Sequence, residues 1–174
     1  MKNVLAMAGS LREKSTSLTI LENIAEQFGD KINLSIYDNL AGLPHFNPDL
    51  DTDEPPKSVA DLRKRIKDSD GVLICTPEYV FSVPAALKNA LEWTVSSADF
   101  HEKPAALITA SSLGEKAHES LSLILKTIDA KIGERAALLI SGAQTKIRNG
   151  KIVDAETVAH LNLLIESFLN TIER

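Results

Sequence analysis

Gly71-Val-Leu-Ile-Cys75, followed by Thr76-Pro-Glu-Tyr-Val-Phe-Ser-Val-Pro-Ala-Ala-Leu-Lys-Asn-Ala-Leu-Glu-Trp93, decides the fold. The first five residues form a short apolar run of the kind that is buried on both faces of a sheet. A polar turn follows, and a helix is expected from Pro84. A bland connection would need only Gly, Asp or Asn. This one carries a carboxylate, Glu78, and two aromatic rings, Tyr79 and Phe81. In parallel α/β sheets, ligands bind where strands end and helices begin.

Working outward, apolar runs alternate with amphipathic segments along the whole chain. Strands are expected at Asn3–Met7, Ile32–Ile36, Gly71–Cys75, Ala105–Thr109 and Ala136–Ile140. Helices are expected at Ser15–Phe28, Lys57–Asp68, Pro84–Ser96, Ala117–Ile132 and Asp154–Ile172. Leu18, Leu21, Ile24, Ala25 and Phe28 recur at helical spacing and give the first helix one buried face. Val158, Leu161, Leu164, Ile165, Phe168 and Ile172 do the same for the last. Such alternation implies an α/β protein with a parallel sheet covered by helices on both faces. Right-handed crossovers then favour a flavodoxin-like, doubly wound, five-stranded sheet of order 2-1-3-4-5. Its switch point lies between the first and third strands. The longest irregular stretch, Tyr37 to Pro56, contains Pro44, Pro48, Pro55 and Pro56 among several acids. A loop of this length is functional or mobile, or else a solvated surface excursion.

The 174 residues suit a single domain, 1–174. With 44% hydrophobic and 25% charged residues, an ordinary core is available. A formal net charge of −5 argues against a nucleic-acid partner, which needs clustered Lys and Arg. No apolar run reaches membrane-spanning length, so no membrane partner is expected. The opening Met1–Ala8 is read as the first strand rather than a leader. One cysteine, Cys75, excludes an internal disulfide framework and fits a reducing cytoplasm.

A second polar turn, Gly9-Ser-Leu-Arg-Glu-Lys-Ser-Thr-Ser17, follows the first strand. Ser10, Ser15, Thr16 and Ser17 offer hydroxyls, Arg12 a guanidinium, and the following helix its unpaired N–H groups. Together they favour an anion. A helix cap alone would need one such residue. The turn is neither a Gly-x-Gly-x-x-Gly fingerprint nor a Gly-Lys-Ser/Thr loop, which leaves a mononucleotide phosphate as the expected ligand group.

Gly9-Ser10-Leu11-Arg12 with Ser15 and Ser17 resembles the NADPH-dependent FMN reductase family. So do Thr76-Pro77-Glu78-Tyr79, Ser82-Val-Pro84 and Leu87-Lys88-Asn89-Ala90. That family includes bacterial quinone and chromate reductases and azobenzene reductases. The resemblance spans nearly the whole chain. It implies a flavodoxin-like fold, bound FMN, NADPH or NADH as electron donor, a small-molecule electron acceptor, and a homodimer or homotetramer with the flavin near a subunit interface. By resemblance, Ser10, Arg12, Ser15, Thr16 and Ser17 hold the FMN phosphate, and Pro77, Glu78, Tyr79 and Val80 border the ring. Ser111, Ser112 and Gly114 of a third turn approach from the other side. The chain departs from the family pattern in having Val80 and Ser17 where Asn is usual, and in a shorter stretch after Ser112.

The cofactor would carry the chemistry, so no catalytic residue is assigned. Glu78 is expected to orient its loop, because a carboxylate would repel reduced flavin. Cys75 reads as a small core residue. His45, His101, His118 and His160 have no metal-ligand spacing. Ser10 lacks a nucleophile elbow. Trp93 reads as either a core residue or part of a subunit interface, where aromatics are enriched, with the interface preferred. The leading reading is an FMN-dependent NAD(P)H oxidoreductase. The alternative is an FMN-binding electron carrier or redox sensor. A receiver domain of the same topology would need acids where Gly9-Ser10 and Thr76-Pro77 stand.

Overall fold

The computed structural model describes residues Met1–Arg174. Five parallel strands form the sheet: β1 (Lys2–Ala8), β2 (Ile32–Tyr37), β3 (Gly71–Thr76), β4 (Pro104–Ser111) and β5 (Lys131–Ser141). Their order is β2-β1-β3-β4-β5, and all pairs are parallel. The helices are α1 (Thr16–Gln27), α2 (Lys57–Asp68), α3 (Ala85–Glu92), α4 (Glu115–Thr127) and α5 (Ala155–Ile172). This is the flavodoxin-like arrangement expected from the alternation.

The pleat divides the strand side chains between two cores. Leu5 and Met7 of β1, Val72 and Ile74 of β3 and Leu107 of β4 pack beneath α2, α3 and α4. Val4 and Ala6, Leu73 and Cys75, and Ala106 and Ile108 pack against α1 and α5 on the opposite face. Strands buried on both sides read as continuous apolar runs, which is why they were legible.

Four features differ from the expectations. First, α4 stops at Thr127, not Ile132. Asp129 adopts φ 63, its N–H donates to Lys126 O, and Ala130 N donates to Leu125 O at 2.9 Å. This is a Schellman ending with aspartate in place of the usual glycine. Strand β5 therefore begins at Lys131. Its register with β4 slips between Ala105 and Leu107, which face Ile132 and Ala137. Residues 133–136 form a bulge on the sheet edge.

Second, α3 ends at Glu92, not Ser96. Arg63 of α2 caps that end, donating from Nε and Nη2 to Trp93 O at 2.9 and 2.6 Å. Third, Trp93 is not at the surface. It is fully buried, donates from Nε1 to Pro44 O at 2.8 Å, and meets Phe46 edge-on with centroids 5.0 Å apart. The 37–56 stretch is thereby clamped onto α3. Asn89 adds Nδ2 to Pro44 O at 2.9 Å and accepts from Phe46 N at 2.7 Å. Fourth, β6 (Ile147–Arg148) and β7 (Lys151–Ile152) make a small antiparallel hairpin. Asn149 and Gly150 form its turn with φ 49 and 75, the Asn-Gly signature of a tight hairpin.

Candidate functional site

The turns after β1, β3 and β4 all lie at the carboxyl edge of the sheet, and three contacts draw them together. Gly9 N donates to Cys75 O at 2.8 Å. A Cβ on Gly9 would lie 2.3 Å from Thr76 Oγ1, so only glycine lets the first turn pass this close to β3. Ser10 Oγ and Tyr79 Oη, on facing turns, lie 3.1 Å apart. Glu78 Oε2 accepts from Ala117 N at 2.9 Å. That bond supplies the cap which Gly114, in a left-handed conformation with φ 94, cannot give to α4. Glu78 thus orients its turn, as the charge argument anticipated.

Between these turns lies a cavity of about 200 Å³. Its walls include Ser10, Arg12, Ser15, Thr16 and Ser17 of the first turn, Pro77, Glu78 and Tyr79 of the second, and Ser111 and Ser112 of the third. The two remaining expected residues lie elsewhere. Gly114 shapes the entry to α4, and Val80, 96% exposed, stands outside on the turn tip. Ala110, Ala143 and Gln144 also line the cavity without having been anticipated. Ala143 and Gln144 belong to a 3₁₀ turn, Ala143–Lys146, after β5. Gly142 N → Ser112 O, 3.1 Å, and Ser141 Oγ → Leu113 O, 2.8 Å, hold that segment to the third turn.

The first turn has unused donors. Ser15 is the N-cap of α1, its Oγ accepting from Leu18 N at 3.1 Å, so this hydroxyl serves as a helix cap. Thr19 N returns to Ser15 O, which leaves the Thr16 and Ser17 N–H groups without a backbone acceptor. Ser17 Oγ is buried with no hydrogen-bond partner. The polar group beside it is the Cys75 thiol, which burial pushes up to about 12 while the serine hydroxyl offsets a small part. A neutral thiol is a weak partner, so the hydroxyl remains available. Arg12 is exposed and enters none of the chain's ion pairs. A buried unsatisfied hydroxyl, two free N–H groups at a helix start and an unpaired guanidinium together fit a phosphate.

Tyr79-Val80-Phe81-Ser82 closes as a tight turn, with Tyr79 N → Ser82 O at 2.9 Å and Ser82 N → Tyr79 O at 3.0 Å. Val80 and Phe81 both have positive φ, 50 and 55, in a turn that favours Asn and Gly. For a β-branched residue this conformation is strained by about 1–3 kcal/mol. Val80 and Phe81 leave their N–H groups without a backbone acceptor, on an exposed turn tip that follows the cavity wall residue Tyr79.

His118, half-buried on the first turn of α4, lies 3.1 Å through Nδ1 from Thr109 Oγ1. Burial lowers its pKa, and Glu119 opposes this weakly. A folded-state pKa below the unfolded value stabilises the fold above about pH 6.5, and that contribution is lost as pH falls through the lowered value. Wild-type protein is therefore expected to lose more thermal stability between pH 7.5 and 5 than His118→Gln does. Parallel melts of the two proteins across that range would check this; equal losses would refute it.

The chain matches the model of the NADPH-dependent FMN reductase family over residues 2–145. It is 32% identical to the NADH:(hydroxy)cinnamate reductase subunit CrdA of Vibrio ruber, over 96% of this chain and 85% of that one. It is 29% identical to the quinone reductase of Escherichia coli K12, covering 98% and 95% respectively. The structure superposes on FerB, a flavoenzyme NAD(P)H:acceptor oxidoreductase from Paracoccus denitrificans. The TM-score is 0.86 at 29% identity, covering 99% of this chain and 98% of that one.

Proposed function

Because the chain belongs to the NADPH-dependent FMN reductase family, we propose that this FMN-dependent oxidoreductase passes electrons from NADH or NADPH to quinones, azo compounds, free flavin or metal oxyanions in a ping-pong cycle. We place it in the cytoplasm, as one flavodoxin-like FMN-binding unit over residues 1–174. No helix is long and apolar enough to cross a membrane. A quinone acceptor is supported by the quinone reductase likeness, and a cinnamate-like one by the Vibrio relative.

The observation that carries this reading is Ser17 Oγ, buried without a partner at the start of α1. In this reading the Thr16 and Ser17 N–H groups, the Ser10 and Ser17 hydroxyls and Arg12 bind the FMN phosphate. Ser15 keeps α1 capped. A volume of about 200 Å³ is below the roughly 300–1,000 Å³ of pockets that enclose a whole small ligand. The cavity therefore suits the phosphate and ribityl chain, with the ring at its mouth. When bound there, FMN supplies the hydride acceptor and donor that the side chains lack. Tyr79, held by Ser10, walls the ring side. The Val80 and Phe81 N–H groups, which have no backbone acceptor, would be available to a polar edge of the flavin, where fixed dipoles stabilise charge. Ser111, Ser112 and Gln144 approach from the opposite side.

Arg12→Ala is expected to weaken FMN binding by about 1.5–3 kcal/mol, roughly tenfold to 150-fold in Kd. Fluorescence titration of free FMN would measure it, and an unchanged Kd would move the phosphate elsewhere. The function itself is tested by anaerobic NADPH titration of the FMN-loaded protein. Bleaching of the visible flavin band is expected. A band that persists would favour the carrier or sensor reading.

A further inference from the structure

The hairpin β6–β7 turns on the only asparagine of the chain that precedes glycine, Asn149 before Gly150. An asparagine side chain can cyclise onto the next peptide nitrogen. Glycine in that next position offers no Cβ to hinder the ring and lets the peptide plane rotate. In the fold both residues are exposed. Gly150 N has no backbone acceptor, and a Cβ placed on Gly150 would meet nothing within 4 Å. The attacking nitrogen is thus neither engaged nor crowded. Arg148 precedes the pair and enters none of the chain's ion pairs, so its charge favours the anionic nitrogen that attacks. Asp70-Gly71 could form the same ring, but there the fold forbids it. Gly71 is buried at the start of β3, where a Cβ would lie 2.8 Å from Phe168 Cζ.

We propose that Asn149-Gly150 is a self-modifying site of the folded protein, which converts with age to isoaspartate and so unlatches the hairpin from α1. The Gly150 nitrogen, its proton lost to solvent base, bonds to Asn149 Cγ. The Cγ–Nδ2 bond breaks, and ammonia leaves with a proton taken from water. The five-membered imide that remains then takes up one water. Opening at the main-chain carbonyl of residue 149 gives isoaspartate, and opening at Cγ gives aspartate. Water enters and ammonia departs, with no change of oxidation state. Isoaspartate lengthens the main chain by one atom inside a two-residue turn, and that turn sets the register of the hairpin. The hairpin is latched to α1 by three contacts that need this register. Asn23 Nδ2 donates to Gly150 O at 2.8 Å, Asn23 Oδ1 accepts from Ile152 N at 3.3 Å, and Lys151 pairs with Glu26. Strands of two residues are too short to hold a hairpin without such support. Once unlatched, the segment presents Arg148 and Lys151 to proteases as an exposed loop tip does.

The test is to store the folded, full-length protein for weeks in mildly alkaline buffer at physiological temperature, beside a sample held unfolded in urea. The folded protein is expected to gain a species heavier by about 1 Da, the mass change of amide to acid. Peptide mapping should place it at residue 149. An isoaspartate-specific methyltransferase, supplied with a labelled methyl donor, should label the same peptide. Asn149→Gln is expected not to gain the species, because its longer side chain would have to close a six-membered ring. Asn23→Ala, which removes the latch but not the reacting pair, is expected to gain it faster than wild type. Stored wild type should be cut by trypsin after Arg148 and Lys151 sooner than fresh protein. A folded sample that stays unmodified while the unfolded one converts would overturn the proposal. So would modification mapped to another residue, an Asn149→Gln protein that ages like wild type, or an Asn23→Ala protein that ages no faster. None of these readings involves flavin or electron transfer, so the redox reading stands or falls separately.

Discussion

Replacing Arg63 with methionine is expected to cost about 3–5 kcal/mol of unfolding free energy, the range for removing one partner of a buried ion pair. The side chains of Arg63, Asp51 and Asp99 are only 14%, 9% and 9% exposed. Arg63 Nη2 donates to Asp51 Oδ1 at 2.7 Å and to Ser96 Oγ at 3.2 Å. It also caps α3 through Trp93 O. Hydrogen bonding from Ser96, and then from Arg63, holds Asp51 below the usual carboxylate range. Burial pushes Asp99 up, against the hydrogen bond from Ser97 and then the weaker pull of Arg63. Methionine keeps much of the volume but removes the cation that Asp51 and Asp99 share, leaving Asp99 only the weaker fields of Lys103 and Lys67. Urea unfolding at neutral pH measures the cost. A loss below about 1 kcal/mol, typical of an exposed pair, would show that water reaches this cluster.

Trp93→Ala is expected to cost a similar amount, about 3–5 kcal/mol for a large aromatic removed from a core. Here the burial is complete, and the edge-on contact with Phe46 is lost as well. Trp93→Phe separates packing from hydrogen bonding. It forfeits the bond to Pro44 O, but Asn89 still satisfies that carbonyl, so about 1 kcal/mol is expected. Equal costs for the two variants in denaturant titration would contradict the packing account. The two sites share the Trp93 backbone, so Arg63→Met and Trp93→Ala together should depart from additivity by about 0.5 kcal/mol or more. Both changes release the 37–56 stretch, so limited proteolysis within that stretch should accelerate in parallel with the stability loss.

That stretch marks where sequence reading stopped. Its prolines and acids suggest an exposed excursion, yet its anchors, Asn89 and Trp93, lie some forty residues away on α3. No local pattern reports a bond across such a distance. The central strands β1, β3 and β4 were legible because burial on both faces leaves no alternation to confuse, and α2 was legible at both ends. The end of α4 was not, because Asp129 does the work of the absent glycine. The Asn149-Gly150 hairpin did carry its signal, and an Asn-Gly pair between short β-prone runs was there to be read. At the candidate site, the hydroxyl-rich first turn and the Pro-Glu-Tyr turn announced themselves by composition. Ala143 and Gln144 did not, since a bland segment after β5 reaches the cavity only through the crossover that sets β5 beside β4. The buried state of Ser17 Oγ, on which the phosphate reading turns, depends on Cys75 of a neighbouring strand and has no sequence signature.

The bulge of residues 133–136 has a consequence for aggregation. An edge strand with a regular ladder is a template onto which any passing strand can add. In β5 the register breaks within its first half, and Lys131, Glu134 and Arg135 sit on or beside the break. A strand arriving from another molecule would meet misaligned donors and charged side chains along that half. Open-ended growth through this edge is thereby discouraged, so polymerisation into fibres is disfavoured there.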